Sequence, residues 1–273
     1  MTTTSLHHLS PTLVRLPVLL LFALALVSAT VPISAPGAAG VLPVPIPEAP
    51  GAAPLSIPDL PVQPAEALAF VPNRGQTDPR VRFQTHAAGA EVFFTPAEVV
   101  LALSGNGVDT SVVRVRFDGA NPSPELAPGA QLPGVVNYYL GQNRAEWHTS
   151  LPTYDSVVYR ELYPGIDVRY DGPAGALKST YTVAPHADPS AIVWRYEGAT
   201  GLRVDAQGDL QIALGEGRAP LVERAPVAWQ EIDGRRVPVA VRYALRGDGA
   251  VGFALGGYDR ARPLVIDPTL ELS

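Results

Sequence analysis

The sequence predicts an all-β fold: an antiparallel β-sandwich, or open barrel-like sheets, built from a dozen or more short strands. Three observations carry this expectation. Apolar residues recur at every second position in segment after segment, the period of a half-buried strand. Pro (29) and Gly (25) are both frequent, as turns between many short strands require. No segment sustains the 3.6-residue period of an amphipathic helix.

The clearest strand follows the break Tyr163-Pro164-Gly165. Beyond it, Ile166, Val168 and Tyr170 fall on one face and Asp167, Arg169 and Asp171 on the other. Aromatic residues gather here and just upstream, at Tyr138, Tyr139, Trp147, Tyr154, Tyr159 and Tyr163, so the stretch 154–171 reads as the centre of the module.

In chain order, residues 1–29 read as a secretory signal peptide. His7, His8 and Arg15 precede an apolar run from Leu16 to Val27, and Val27-Ser28-Ala29 offers small residues for cleavage after Ala29. About a dozen apolar residues fall short of the roughly 20 that a spanning helix needs. The expectation is therefore a cleaved leader with no membrane insertion afterwards, the alternative being an uncleaved anchor. Residues 30–66 carry Pro32, Pro36, Pro43, Pro45, Pro47, Pro50, Pro54, Pro58, Pro61 and Pro64. This is the composition of a disordered, polyproline-like linker.

The β domain is expected over 67–273. A turn-rich segment from Phe70 to Pro79 feeds a strand from Val81 to Gln84. Glu91–Thr95 and Val99–Leu103 form a hairpin around Pro96-Ala97-Glu98, and Ser111–Asp118 alternates with Val113, Val115 and Phe117 inward. A loop holding Pro122, Pro124, Pro128 and Pro133 leads into Val135–Leu140, and Gln142–Ser150 reads as a polar loop. Before Glu161 a single helical turn is the most helix the β-branched content allows. Past the central stretch, Leu177–Val183 and Ile192–Tyr196 put Tyr181 and Trp194 inward. Asp205-Ala206-Gln207-Gly208-Asp209 marks a hairpin between Leu202–Val204 and Leu210–Leu214. Asp233-Gly234 marks another, between Val227–Ile232 and a strand from Val237 to Leu245. Gly247-Asp248-Gly249 turns the chain into Val251–Leu255, and Leu264–Ile266 closes the domain.

Composition narrows the function. Net charge is −6, and about −7 once Arg15 leaves with the leader. Without a basic stripe, neither nucleic acid nor an anionic membrane is an expected partner. With no cysteine there are no disulfides, thiolate metal ligands or cysteine nucleophile. GxSxG, SxxK and phosphate-cradling glycine loops are missing, and His86, His148 and His186 lack metal-ligand spacing. No metal and no cofactor is expected.

Several phrases, in order, resemble a known family. They are Asn73-Arg74-Gly75-Gln76-Thr77-Asp78; Leu132-Pro133-Gly134 followed by Asn137-Tyr138-Tyr139; and Tyr163-Pro164-Gly165-Ile166-Asp167. Ala184-Pro185-His186-Ala187-Asp188-Pro189 followed by Glu197-Gly198-Ala199, and Leu264-Val265-Ile266-Asp267-Pro268, complete the set. Together, from about Phe70 to Pro268, they resemble the N-terminal domain of bacterial secreted proteins that carry seven-bladed β-propeller-type (SBBP) repeats. The resemblance implies an exported or cell-surface β-rich domain with no established catalytic activity. In that family the repeats begin shortly after the Ile-Asp-Pro phrase; the sequence to Ser273 holds none.

Two functional expectations follow. The first is a non-enzymatic module with a structural, adhesive or ligand-binding role, in which Trp147, His148, Tyr138, Tyr139 and Tyr154 offer rings to an extracellular glycan or surface protein. The competing explanation of these rings is core filling, the usual fate of aromatics in β proteins. The second is a secreted carbohydrate-active enzyme using paired acids among Glu161, Asp167 and Asp171 near the aromatic cluster. An exposed aromatic surface without a facing carboxylate pair favours the first.

Overall fold

The computed structural model describes residues 67–271 apart from 88, 105–109, 173, 174 and 216. The expected leader and linker, 1–29 and 30–66, lie outside the described residues.

The chain opens with β1 (Val71–Pro72), β2 (Phe83–Ala87), β3 (Ala90–Phe94), β4 (Glu98–Leu103) and β5 (Ser111–Phe117). Next come β6 (Glu125–Pro128), β7 (Gln131–Tyr138), β8 (His148–Tyr154), β9 (Ser156–Tyr163), β10 (Ile166–Asp171) and β11 (Leu177–Val183). The C-terminal third adds β12 (Val193–Glu197), β13 (Gly201–Val204), β14 (Leu210–Ala213), β15 (Leu221–Glu223) and β16 (Val227–Ile232). It ends with β17 (Arg235–Val239), β18 (Val241–Leu245), β19 (Val251–Leu255), β20 (Leu264–Asp267) and β21 (Thr269–Glu271).

These strands make an eight-stranded sheet, β1-β2-β3-β4-β5-β12-β19-β18, and an eleven-stranded sheet along β13-β14-β15-β21-β11-β10-β9-β6. In the second sheet, β20 pairs with β11 and β16, and β16 with β17. All pairings are antiparallel, and neither sheet closes on itself. The fold is all-β, as the alternation requires. β10 shows why: Ile166, Val168 and Tyr170 are buried while Asp167, Arg169 and Asp171 stay partly exposed.

Between the sheets lies one core, and aromatic rings span it. Phe94 meets Tyr170 at 5.3 Å, Phe117 meets Tyr159 at 5.5 Å, and Trp194 packs with both Tyr181 (6.2 Å) and Phe253 (5.0 Å). Buried hydroxyls need partners, and four core tyrosines find one on the opposite layer. Tyr159 donates to the Thr95 carbonyl (2.9 Å) and Tyr163 to that of Val193 (2.6 Å). Tyr196 donates to Glu223 Oε2 (2.8 Å) and Tyr243 to the Arg224 carbonyl (2.8 Å).

The structure departs from the sequence expectations at several points. The strand expected from Val81 is β2 and starts at Phe83, because Val81 is held in a turn by its N–H to the Asp78 carbonyl (3.0 Å). The proline loop 122–133 contains β6 and the start of β7. Both are edges, where a proline's missing N–H costs no ladder bond. Glu161 lies within β9, not a helical turn, at φ 49° beside a register shift. The single strand expected over Val237–Leu245 is two: at Ala240 the chain leaves β17 in one sheet and enters β18 in the other. Gly256 clamps that crossing, its N–H bonding the Ala240 carbonyl at 2.7 Å. β15 and β21, three residues each, are too short to show a period.

Glu223 is the exceptional core residue, a carboxylate 5% exposed with no cation paired to it among the described residues. Burial pushes its pKa up to about 7, opposed by the hydroxyls of Tyr196 and Tyr243. A carboxyl raised in the folded state binds its proton more tightly there than when unfolded. Stability is therefore complete below the unfolded value of 4.5 and declines as pH rises through about 7. Glu223→Gln is expected to leave stability at pH 4 nearly unchanged and to raise it at pH 8, by up to roughly 3 kcal/mol. Denaturant melts of both proteins across that range check this.

Candidate functional site

β7 and β8 form a two-stranded ribbon separate from both large sheets. Its base is tied down by Phe70 and Tyr154, which exchange backbone hydrogen bonds of 2.9 Å in both directions. Register shifts after Leu132 and Val136 twist it. At the far end the connection is closed by a 3₁₀ turn, Arg144–Glu146. Asn143 builds that turn: its Oδ1 accepts from Ala145 N (3.1 Å) and its Nδ2 donates to Glu146 Oε1 (3.0 Å).

Two rings meet at this tip. Tyr139 and Trp147 lie 5.0 Å apart, edge to face at 83°. The Trp147 Nε1–H donates to the Gly141 carbonyl (3.3 Å), and the Arg144 guanidinium carbon sits 5.3 Å from the indole centroid. Tyr139 is 62% exposed, and Leu140 and Val135 are exposed beside it. Arg144 makes no ion pair among the described residues.

The neighbouring residues turn the other way. Tyr138 accepts a hydrogen bond from Gln84 Nε2 (2.6 Å) on β2. Burial raises the Tyr138 pKa, the Gln84 bond opposing and Glu91 adding to the rise, so the phenol stays protonated at neutral pH. Gln84 is itself buried, and its Oε1 has no hydrogen-bond partner among the described residues. His148, opposite Tyr138, packs on Gly75, where a Cβ would lie 3.0 Å from its ring and where φ is +111°. The loop carrying Gly75 is built by Asn73. Its Nδ2 donates to the carbonyls of Asp78 (2.8 Å) and Val81 (3.0 Å), and its Oδ1 accepts from Gly75 N (2.9 Å).

Of the sequence-predicted residues, the structure brings Tyr139 and Trp147 together on the open side and sets Tyr138 and His148 behind them. His148 belongs to β8, not to the polar loop expected over 142–150, because it pairs with Tyr138. Tyr154 lies at the other end of the ribbon, paired with Gln131 and packed edge-on against Phe83 at 6.4 Å. It anchors the ribbon and does not join the tip. Sequence reading missed Arg144, Asn143 and Gln84. The Asn143-Arg144-Ala145-Glu146 spacing, a cap followed by an acid three residues on, was the available signal.

The acidic residues of the alternative reading are engaged locally. Asp167 binds Arg160 Nη1 (2.8 Å) and the Glu161 N–H (2.8 Å), and Glu161 Oε2 accepts from Gly165 N (3.0 Å). Asp171 Oδ2 accepts from Arg169 Nε (3.1 Å). The Asp205 and Asp209 carboxylates serve their own hairpin and Arg224. Among the described residues no group of three or more His, Asp or Glu is placed to hold a metal ion.

Sandwich and ribbon together define the class: an all-β domain with a tethered two-stranded projection. The chain belongs to a domain family of unknown function, DUF7948, whose model matches residues 70–269, from the Phe70 tie to the first residue of β21. No curated protein and no solved structure matches it.

If Asn73 organises the loop beneath His148, Asn73→Ala strands several main-chain groups at once. A loss of about 2–4 kcal/mol in a chemical melt is expected, together with a shifted His148 imidazole resonance. An unmoved resonance would separate this loop from the ribbon.

Proposed function

We propose that this protein is an exported, non-enzymatic β-rich module that binds a ligand or adheres outside the cell through the tip of the β7–β8 ribbon. The observation that carries this reading is the Tyr139–Trp147 pair: the half-buried indole, fixed by its bond to the Gly141 carbonyl, holds the exposed Tyr139 ring edge to face. An exposed tyrosine ring backed by a half-buried indole on a projecting element leaves apolar surface in water that the fold itself does not use. Rings of this kind stack on the apolar faces of sugars or on partner side chains. Arg144, beside the indole, adds a cationic donor for hydroxyl or carboxylate groups. The partner class is an extracellular glycan or a surface protein.

Export is supported by the leader reading and by the resemblance to bacterial secreted proteins with SBBP repeats. Packing without cysteine is compatible with it. The non-enzymatic assignment is supported by Glu161 and Asp167, whose carboxylates are spent on the β9–β10 turn.

Trp147→Ala and Tyr139→Ala are each expected to weaken glycan-array or surface-protein binding at least about tenfold. The melting temperature should stay within about 2 °C, since neither ring enters the core. Signals that survive both substitutions would remove the tip from consideration. For export, mass spectrometry of protein from the producing cell is expected to show a mature N-terminus at Thr30; an intact leader on cytosolic protein would refute it.

A further inference from the structure

β13 ends the eleven-stranded sheet and pairs only with β14 among the described strands. The Asp205 N–H bonds the Asp209 carbonyl (3.0 Å), which makes 205 an inward position. By alternation 203 and 201 also face β14, and the N–H and C=O of Leu202 and Val204 point away from the sheet. No described residue hydrogen-bonds to them. Prolines or register shifts interrupt the edge strands β6, β7 and β17; β13 has neither.

Open grooves lie on both faces of this strand. The first, ≈ 590 Å³, has Leu214 and Pro220 on its walls and Arg203, Gln211 and Ala213 along β13 and β14. The second, ≈ 430 Å³, lies on the Leu202 face, against Tyr196 and the β18–β19 turn with Leu245 and Arg246. A strand laid along β13 sends alternate side chains to opposite faces, so each groove receives one set.

Charge selects the occupant. Arg203 has no ion pair among the described residues, and among them the Arg246 guanidinium donates only to the Ser190 carbonyl (3.4 Å). The acids of the second groove, Glu197 and Asp248, are already bonded to Arg116 and Arg195. None of the described residues lining the first is acidic. On a chain of net charge −6, this edge is a place where an acidic segment meets unpaired arginine. A second copy pairing about the same strand would instead set Arg203 against its twin.

We propose that β13 is a docking edge for an extended acidic peptide of a partner protein, added to the sheet as a further strand. Main-chain bonds to Leu202 and Val204 supply the affinity, and Arg203 and Arg246 read the carboxylates. This surface is independent of the aromatic tip.

The test uses the purified chain and a dye-labelled hexapeptide of alternating Glu and Val, followed by fluorescence anisotropy. The peptide is expected to bind, and its Lys-for-Glu counterpart to bind at least about tenfold more weakly. N-methylating every second amide should abolish binding in one phase and spare it in the other, because only one set of N–H groups faces β13. Arg203→Glu should weaken binding about tenfold, and Leu202→Pro, which removes an outward donor but no inner ladder bond, should do the same. Trp147→Ala should leave it unchanged. Failure of the Glu–Val peptide to bind, equal binding of the Lys peptide, or indifference to both methylation phases would overturn the proposal. So would light scattering that shows a dimer dissolved by Leu202→Pro, since the edge would then belong to a second copy.

Discussion

Tyrosine hydroxyls that leave one sheet and end on the other fix how the two layers sit. Tyr159 and Tyr163 reach from β9 to the Thr95 and Val193 carbonyls, while Tyr196 and Tyr243 reach back to Glu223 and Arg224. Hydrophobic packing alone is non-directional and lets sheets slide. A buried hydroxyl with one acceptor in range does not, because any slip strands both groups. In a chain without cysteine, these bonds and the rings that carry them set the relation between the layers. Glu223 is the cost of that arrangement: it accepts from Tyr196 across the core, and burial leaves it poorly suited to carry charge.

The ribbon depends on the same frame. The backbone exchange between Phe70 and Tyr154 ties its base to the eight-stranded sheet, Gln84 holds Tyr138, and the Asn73 loop supports His148. With one side fastened, the alternation of a strand turns Tyr139 outward. The phrases that resemble the secreted family mostly serve this scaffold. Tyr163-Pro164-Gly165 makes the β9–β10 turn, and Gly165 approaches Ala187 so closely that a Cβ would lie 2.8 Å from its methyl. Asp267 receives Thr180 Oγ1 (3.0 Å) and pairs with Lys178 (2.9 Å). Such phrases report the frame more than the site, save for Tyr138 and Tyr139.

Legibility followed the length of the signal. β10, β11 and β5 alternate over six or seven residues and were readable, as were the hairpins at Asp205–Asp209 and Asp233-Gly234. β15 and β21 were not, and neither was the crossing at Ala240. A sheet change keeps the chain extended and leaves the period-two pattern intact. At the site, the aromatic residues were visible in sequence, but their division into tip pair, half-buried support and distant anchor was not. Tyr138, Tyr139 and Tyr154 are the same residue type in similar local sequence. Only what lies across from each, Gln84, solvent or Phe83, sets its role.

By itself the sequence determined that the chain is all-β, where most strands run and which face of each is apolar, because these follow from side-chain chemistry repeating at a local period. The tertiary structure decided which strands share a sheet, which ring of the cluster meets water and which edge lacks a neighbour among the described strands. Those outcomes rest on contacts between residues far apart in the chain, and no local pattern encodes the partner.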